Sequence, residues 1–300
     1  MAESASSVTK IPSFWWEPYL SNVTSQNGED GILKRILEIV PPASRQCVEF
    51  GAWDGKKHSN TYRLLTEERF GGVLIEADGD KYQDLLKTFG DRPDIRCVKR
   101  FVEFEGPNSL DNILSEAGLP KEFEVLSIDI DGNDYHIWDS LRNFRPRVVV
   151  IEFNGTVPNH IEFVQPRDMR VNQGTSLRSI VKLAEAKGYR LVALTGNAIF
   201  VPKEYFHLFG IQDNSVEAMR PDPNNVALSY LFVLYDGTLV IEGNRSLIWE
   251  KAAFGPRYVQ LLPACFRFCG KGGNRFLRLL KRLYLRYLWC KTGIRFGKHE

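Results

Sequence analysis

The order of apolar and polar positions divides the chain into short apolar runs and segments of helical period. Ile32, Leu33, Ile36, Leu37 and Val40 recur at helical spacing after the polar stretch Ser25–Asp30. A helix is expected there, with Asn27 as its N-cap and Pro41-Pro42 ending it. From that point strands and helices alternate. Strands are expected at about Cys47–Gly51, Val73–Ala77, Ile95–Val102, Val125–Asp129 and Arg147–Phe153. Helices are expected at about Asn60–Phe70, Lys81–Phe89, Ser109–Ala117 and Tyr135–Leu141. Most of the strands are near-continuous apolar runs, as in a parallel sheet covered on both faces. Repeated strand–helix alternation predicts an α/β fold, a doubly wound, mostly parallel sheet with right-handed crossovers.

The rhythm breaks at Gly155–Gly174, a polar stretch with Pro158 and Pro166 that is too long for a plain connector. A helix follows at Leu177–Lys187. Tyr189–Thr195 and Ala198–Pro202 then form an antiparallel hairpin turned by Gly196-Asn197. A second hairpin is expected at Ser229–Tyr235 and Thr238–Ile241 around Asp236-Gly237, after a Pro/Asn-rich loop at Arg220–Asn225. Met1–Ser13 reads as a loose polar segment, and Phe14, Trp15, Trp16, Pro18 and Tyr19 as an aromatic strap. The division expected is 1–46 for the strap and first helix, 47–250 for the α/β domain, and 251–300 for a C-terminal tail.

Composition narrows this picture. The apolar fraction of 43% supports a substantial core. No run approaches the ~20 apolar residues of a membrane span, and Met1–Lys10 lacks the order of a secretory signal. Five cysteines without framework spacing predict a reduced, cytoplasmic protein. Cys265 and Cys269 have no second pair nearby, so zinc is not expected. Charge is uneven. From Cys265 to Glu300 there are ten Lys/Arg and one acid, a charge of +9, which leaves −7 for the rest of a chain whose total is +2. Phe276, Leu280, Leu283 and Tyr287 share one helical face there, and Arg275, Arg278, Arg282 and Arg286 another. Such a tail suits peripheral contact with an anionic membrane. It equally suits packing on the parent domain. Nothing else in the chain supports a nucleic-acid partner.

Ligands in open α/β sheets bind beyond the carboxyl ends of the strands, and four of those ends carry acids. Glu49-Phe50-Gly51 ends the first strand, with Asp54 and Gly55 just beyond. Glu76-Ala77-Asp78 ends the second, Asp129-Ile130-Asp131-Gly132-Asn133-Asp134 the fourth, and Glu152-Phe153-Asn154 the fifth. An acid closing the second strand can accept both hydroxyls of a ribose. No Gly-x-Gly-x-x-Gly follows the first strand, which counts against a pyrophosphate and points to a phosphate-free nucleoside, S-adenosylmethionine.

Three of these stretches together resemble the FkbM-like S-adenosylmethionine-dependent methyltransferases. They are Val48–Gly55, Ile75-Glu76-Ala77-Asp78 and Leu126–Asp134, supported by Ser109-Leu110-Asp111 and by Lys187-Gly188-Tyr189 leading to Asn197–Val201. The resemblance covers about Cys47–Val201 and implies a Rossmann-like class I methyltransferase fold. It also implies Glu49 and Gly51 near the methionine part of the cofactor and Glu76 on its ribose. Asp54, Gly55, Ala77, Asp78 and Asp129 complete the expected cofactor set. The family's Asp-x-Glu-Gly-x-Glu is here Asp129-x-Asp131-Gly132-x-Asp134, with each later acid one methylene shorter. Gln26, Glu29 and Asp30 form a polar segment ahead of the core.

The expected reaction is O-methylation of a sugar or other small polyhydroxylated acceptor, lipid-linked in one version. The hydroxyl acceptor follows from the resemblance alone. Asp129, Asp131, Asp134 and Glu152 are the candidates to take the hydroxyl proton, and Asn154 and His160 to touch the acceptor. A divalent cation on the Asp cluster is conceivable, since hard oxygens suit Mg²⁺ or Ca²⁺, but is not favoured. The competing reading is a non-catalytic protein that binds a nucleoside or a partner and is held at a membrane by its tail.

Overall fold

Strands made of Val, Leu and Ile with no polar face are satisfied only between two layers of helix. Seven strands do this here, in a computed structural model that describes residues 14–221, 228–247, 251–267 and 275–292. The strands are β1 (Gln46–Phe50), β2 (Gly71–Glu76), β3 (Ile95–Lys99), β4 (Val125–Ile128), β5 (Val148–Glu152), β6 (Tyr189–Leu194) and β7 (Asn197–Pro202). α1 (Glu29–Ile39) precedes them, and the helices between them are α2 (Tyr62–Thr66), α3 (Gly79–Phe89), α4 (Leu110–Glu116), α5 (Asp134–Ser140) and α6 (Leu177–Ala186). The sheet order is β3-β2-β1-β4-β5-β7-β6. β1 to β5 are parallel, and β7 runs antiparallel to both β5 and β6. This is a doubly wound, Rossmann-like arrangement with one antiparallel strand inserted near its edge.

The order reverses between β1 and β4, so the crevice that such sheets offer to ligands opens at the ends of those two strands. Val48, Leu74, Leu126, Val149 and Phe200 are fully buried across the sheet, and Trp138 of α5 packs on Tyr189 and Phe200. The aromatic strap is seated on the same core: Trp16 is buried, and the Trp15 indole donates to the Val192 carbonyl at 2.6 Å.

Boundaries shift where side chains compete for backbone groups. The helix expected over Asn60–Phe70 shortens to α2, because residues 59–61 are drawn to Glu49 instead. Gly28 in the left-handed region, not Asn27, caps α1.

Contacts divide the chain into two units, 1–223 and 224–300. Among the described residues the second hairpin, β8 (Ser229–Val233) with β9 (Leu239–Gly243), pairs only with itself, and it falls in the second unit, whereas the division expected from the sequence is at 250. The apolar pattern marks a strand but not its partner. The second unit ends in the helix Arg275–Thr292. Among the described residues no helix is long and apolar enough to cross a membrane. The Met1–Ser13 segment, most of the Arg220–Asn225 loop and Cys269 lie outside the described residues.

Candidate active site

The crevice is built from the strand ends upward. Gly51, the first residue after β1, has φ +74, and a Cβ there would sit 2.1 Å from the Asp129 carbonyl oxygen. Glycine is therefore required on two grounds, a left-handed backbone and the close approach of two turns. Gly51→Ala is expected to destabilise the fold by about 2–4 kcal/mol. A urea titration checks this, and a variant within ~0.5 kcal/mol of the parent would remove the steric argument.

Beside Gly51 lies a cavity of about 260 Å³, lined among others by Phe50, Ile75, Glu76, Ala77, Phe101, Val102, Asn133 and Met169. Glu76 ends β2 with its carboxylate held on both sides: Oε2 accepts from the Trp53 amide and Oε1 from the Asp78 amide, each at 2.7 Å. A carboxylate has about four lone-pair sites, so two acceptors remain after those bonds. Asn133 donates its Nδ2 to the carbonyls of Asp168 and Val171, both at 3.2 Å. That leaves its buried Oδ1 without a partner, on a residue that lines the cavity. The cavity thus combines apolar walls, a ribose-type carboxylate and an unsatisfied acceptor. The volume lies just below the ~300–1,000 Å³ usual for ligand sites.

The expected cofactor residues therefore divide. Gly51, Glu76 and Ala77 are brought together at the cavity. The other acids are occupied elsewhere. Glu49 is buried and accepts from Ser59 Oγ (2.5 Å), the Asn60 amide (2.8 Å) and Thr61 Oγ1 (2.7 Å). Burial raises its carboxyl pKa, against the pull of those hydroxyls. Asp54 accepts from the Lys56 and Lys57 amides, and Asp78 caps α3 through the Asp80 and Lys81 amides. Gly55, with φ +75, packs where a Cβ would meet Leu85 and Phe89. These four shape the turns around the cavity and do not line it.

On the other side of the switch, carboxylate oxygens of Asp129, Asp131 and Glu152 lie within 4.8 Å of one another, with Asp129 and Asp131 exposed and Glu152 half-buried. Asp131 is held in the left-handed region at φ +55. Asp134 is not part of this group. It is buried, and its two oxygens accept from the Ile130 amide (2.9 Å) and the Gly132 amide (3.0 Å), which folds the turn that presents the others. Burial outweighs those bonds and raises its carboxyl to about 6.

Although solvent reaches Asp129, surrounding protein atoms and then Asp134, Asp131, Glu49 and Glu29 push its carboxyl up to about 7. Its exposure weakens the first cause, so the like-charge repulsion is the one that stands. Glu152 is raised further, by burial first and then by Asp129, Asp134 and Asp131. Three oxygens at this spacing could supply half the shell of a six-coordinate cation, or present acceptors to a hydroxylated ligand.

The long loop after β5 closes over this edge. Asn154, expected to bind the acceptor, instead pins the loop: Oδ1 accepts from Thr156 and Nδ2 donates to the Gln173 carbonyl at 2.8 Å. Gln165 is buried and accepts from the Gln173 and Gly174 amides while donating to the Val171 carbonyl. His160 is exposed and does not line the cavity. Ahead of the core, Glu29 accepts from Thr195 Oγ1 at 2.6 Å, and Asp30 gathers the amides of Val23, Thr24 and Ser25. Both acids tie the lead-in segment down, and Gln26 is left exposed.

Residue-type reasoning missed Arg100, Phe101 and Val102 beyond β3, and Asn133, Met169 and Asn172. The end of β3 carries no acid and so drew no notice. Its position as a carboxyl strand end was the signal that could have found it.

No family model matches the chain, and no curated protein matches it. Solved structures do match, over part of their length. The CurJ carbon methyltransferase is 12% identical over 57% of this chain and 52% of its own, at a TM-score of 0.38. The N-terminal domain of EvdMO1 with SAH bound is 11% identical over 60% of this chain and 80% of its own, at 0.38. The O-methyltransferase NcsB1, in complex with S-adenosylmethionine and a naphthoic acid, is 15% identical over 53% and 49%, at 0.32. The chain spans about half the length of the carbon methyltransferase that it matches.

Proposed function

We propose that this chain is an S-adenosylmethionine-dependent methyltransferase of the FkbM-like type. It O-methylates a sugar or other small polyhydroxylated acceptor. The observation that carries the donor is Glu76, braced by two amides at a cavity with no phosphate loop beside it. Bound there, S-adenosylmethionine would supply an activated methyl group. Glu76 would hold the ribose hydroxyls, and Gly51 would let the chain approach the methionine part. The acceptor side is the acidic crest. Asp129, Asp131 and Glu152 can orient neighbouring hydroxyls as hydrogen-bond acceptors. A carboxylate raised toward neutrality, as at Asp129, is suited to take the proton of the reacting hydroxyl. The work of the chain is mainly to position the two reactants.

The basic tail is read as a peripheral contact with an anionic membrane, which would suit a lipid-linked acceptor and a cytoplasmic enzyme. Titration calorimetry with S-adenosylmethionine, followed by a screen of glycan acceptors with labelled donor, tests the reading. Binding, with label on a hydroxylated acceptor and turnover unchanged by a chelator, is the expected result. No binding by the wild type would sink the donor assignment and leave the non-catalytic reading. Turnover that stops on chelation and returns with Mg²⁺ would move the crest to a metal role.

A further inference from the structure

The second unit carries an apolar surface that the proposed reaction does not use. Leu231, Phe232, Val233, Leu234 and Tyr235 are each at least 49% exposed. Successive residues of a strand point to opposite faces, so this end of the β8–β9 ribbon is bare on both sides. An isolated two-stranded ribbon is marginal in water. This one is braced. Gln260 accepts from the Leu239 amide and donates to the Gly237 carbonyl, Arg267 donates to Thr238 Oγ1, and Asp236 closes the turn onto Thr238. A ribbon held up by polar ties at its tip, with apolar side chains outward, is a built feature.

Charge says what covers it. Among the described residues of this unit there are ten Lys/Arg and two acids, Asp236 and Glu242. On the helix Arg275–Thr292, Leu279, Leu283 and Tyr287 are exposed at helical spacing, and Arg278, Arg282 and Arg286 each precede one of them. Cations flanking an apolar stripe can extend to lipid headgroups while the stripe is buried. Each Lys or Arg near an anionic leaflet contributes about 1 kcal/mol. A second copy pairing through this same face would bring a like-charged surface and be repelled. The five residues of β8 reach roughly 17 Å, short of a bilayer core of ~30 Å but enough to enter the headgroup and upper acyl region.

We infer that the β8–β9 hairpin is an insertion wedge by which the second unit docks on an anionic lipid bilayer. The terminal helix supplies the electrostatic attraction. This rests on the reading of the basic tail as membrane-facing and adds the element that gives it depth. The test uses the full chain with vesicles of phosphatidylcholine alone, and with about one-third phosphatidylserine. Flotation should occur with the anionic vesicles only, and the Leu231–Tyr235 amides should gain hydrogen-exchange protection there. Leu231→Ser/Phe232→Ser/Val233→Ser should lower partitioning by about tenfold or more. Arg278→Gln/Arg282→Gln/Arg286→Gln should abolish the preference for anionic lipid.

Flotation of the wild type without protection of the hairpin would overturn the wedge and leave the helix reading standing. Loss of flotation in the wild type would overturn both. Protection that appears without lipid and grows with protein concentration would assign the surface to a second copy and reject the bilayer. The exchange measurement needs no variant, so a misfolded serine mutant cannot obscure the outcome.

Discussion

Glu76→Ala should weaken S-adenosylmethionine binding by about 100-fold or more while leaving the sheet intact. The carboxylate is the one charged group that both lines the cavity and ends β2 beside Gly51. Hydrogen bonds to a charged acceptor contribute about 1.5–3 kcal/mol each, and two ribose hydroxyls would be lost together. The truncation also strips the Trp53 and Asp78 amides of their acceptor, so the turns after β1 and β2 should loosen. Glu76→Gln keeps the shape and one acceptor oxygen, and is expected to fall between the two. Calorimetry gives the affinities, and thermal unfolding reports whether the fold survives. An alanine variant that is folded and binds as tightly as the wild type would show that the ribose is not held there.

The acidic crest should make activity and stability move in opposite directions with pH. Asp129 titrates at about 7 and Asp134 at about 6, both above their ordinary value of 3.8, and Glu152 is raised as well. A carboxyl raised in the folded state favours its protonated form. Its contribution to stability is present below the ordinary carboxylate range and is lost as pH rises through the folded value. Between about pH 5 and 8 the crest is therefore expected to cost stability while gaining the charge needed to accept a proton. Turnover should rise through about pH 7, and the melting temperature should fall over the same window.

Glu152→Gln removes a carboxyl that burial, and then the neighbouring acids, hold in its protonated form far above its ordinary range. At about pH 8 it should stabilise the protein by about 1 kcal/mol or more, a few degrees in melting temperature for a domain of this size. The gain should vanish near pH 4, where the wild-type carboxyl is also neutral. Turnover should fall sharply in the same variant. Melting curves and rate profiles across pH check both. A Glu152→Gln protein no more stable than wild type at high pH would mean that the Glu152 carboxyl is not raised by its burial and its acidic neighbours.

The alternation of apolar runs was enough to read the doubly wound sheet, because a strand covered on both faces has no polar side to hide. The same reading located acids at four strand ends. It could not tell which acids face a ligand and which serve the backbone. Glu49, Asp54, Asp78 and Asp134 look like Glu76 in the chain, and all five accept from nearby amides or hydroxyls, yet of these only Glu76 also lines the cavity. Asn154 likewise reads as a contact residue and is in fact the pin of its own loop. A carboxylate two or three residues ahead of free amides caps them whenever the turn allows. Whether it does so is set by the turn's dihedral angles, which a residue list does not contain.

What the chain alone determined is the order of strands and helices, the glycine turn after the first strand, the acid that closes the second and the basic character of the tail. Each is local, set by side-chain periodicity, backbone freedom or charge within a few residues. What only the tertiary structure decided is partnership. It placed Gly51 against the Asp129 carbonyl and brought Glu152, from the neighbouring strand, within reach of Asp129 and Asp131. It set Asn133 beside Glu76 with one atom unsatisfied and, among the described residues, left β8 and β9 paired with each other alone. The pairs Gly51–Asp129, Glu152–Asp129 and Asn133–Glu76 join residues far apart in the chain. They arise from packing and strand register, which depend on all the elements at once.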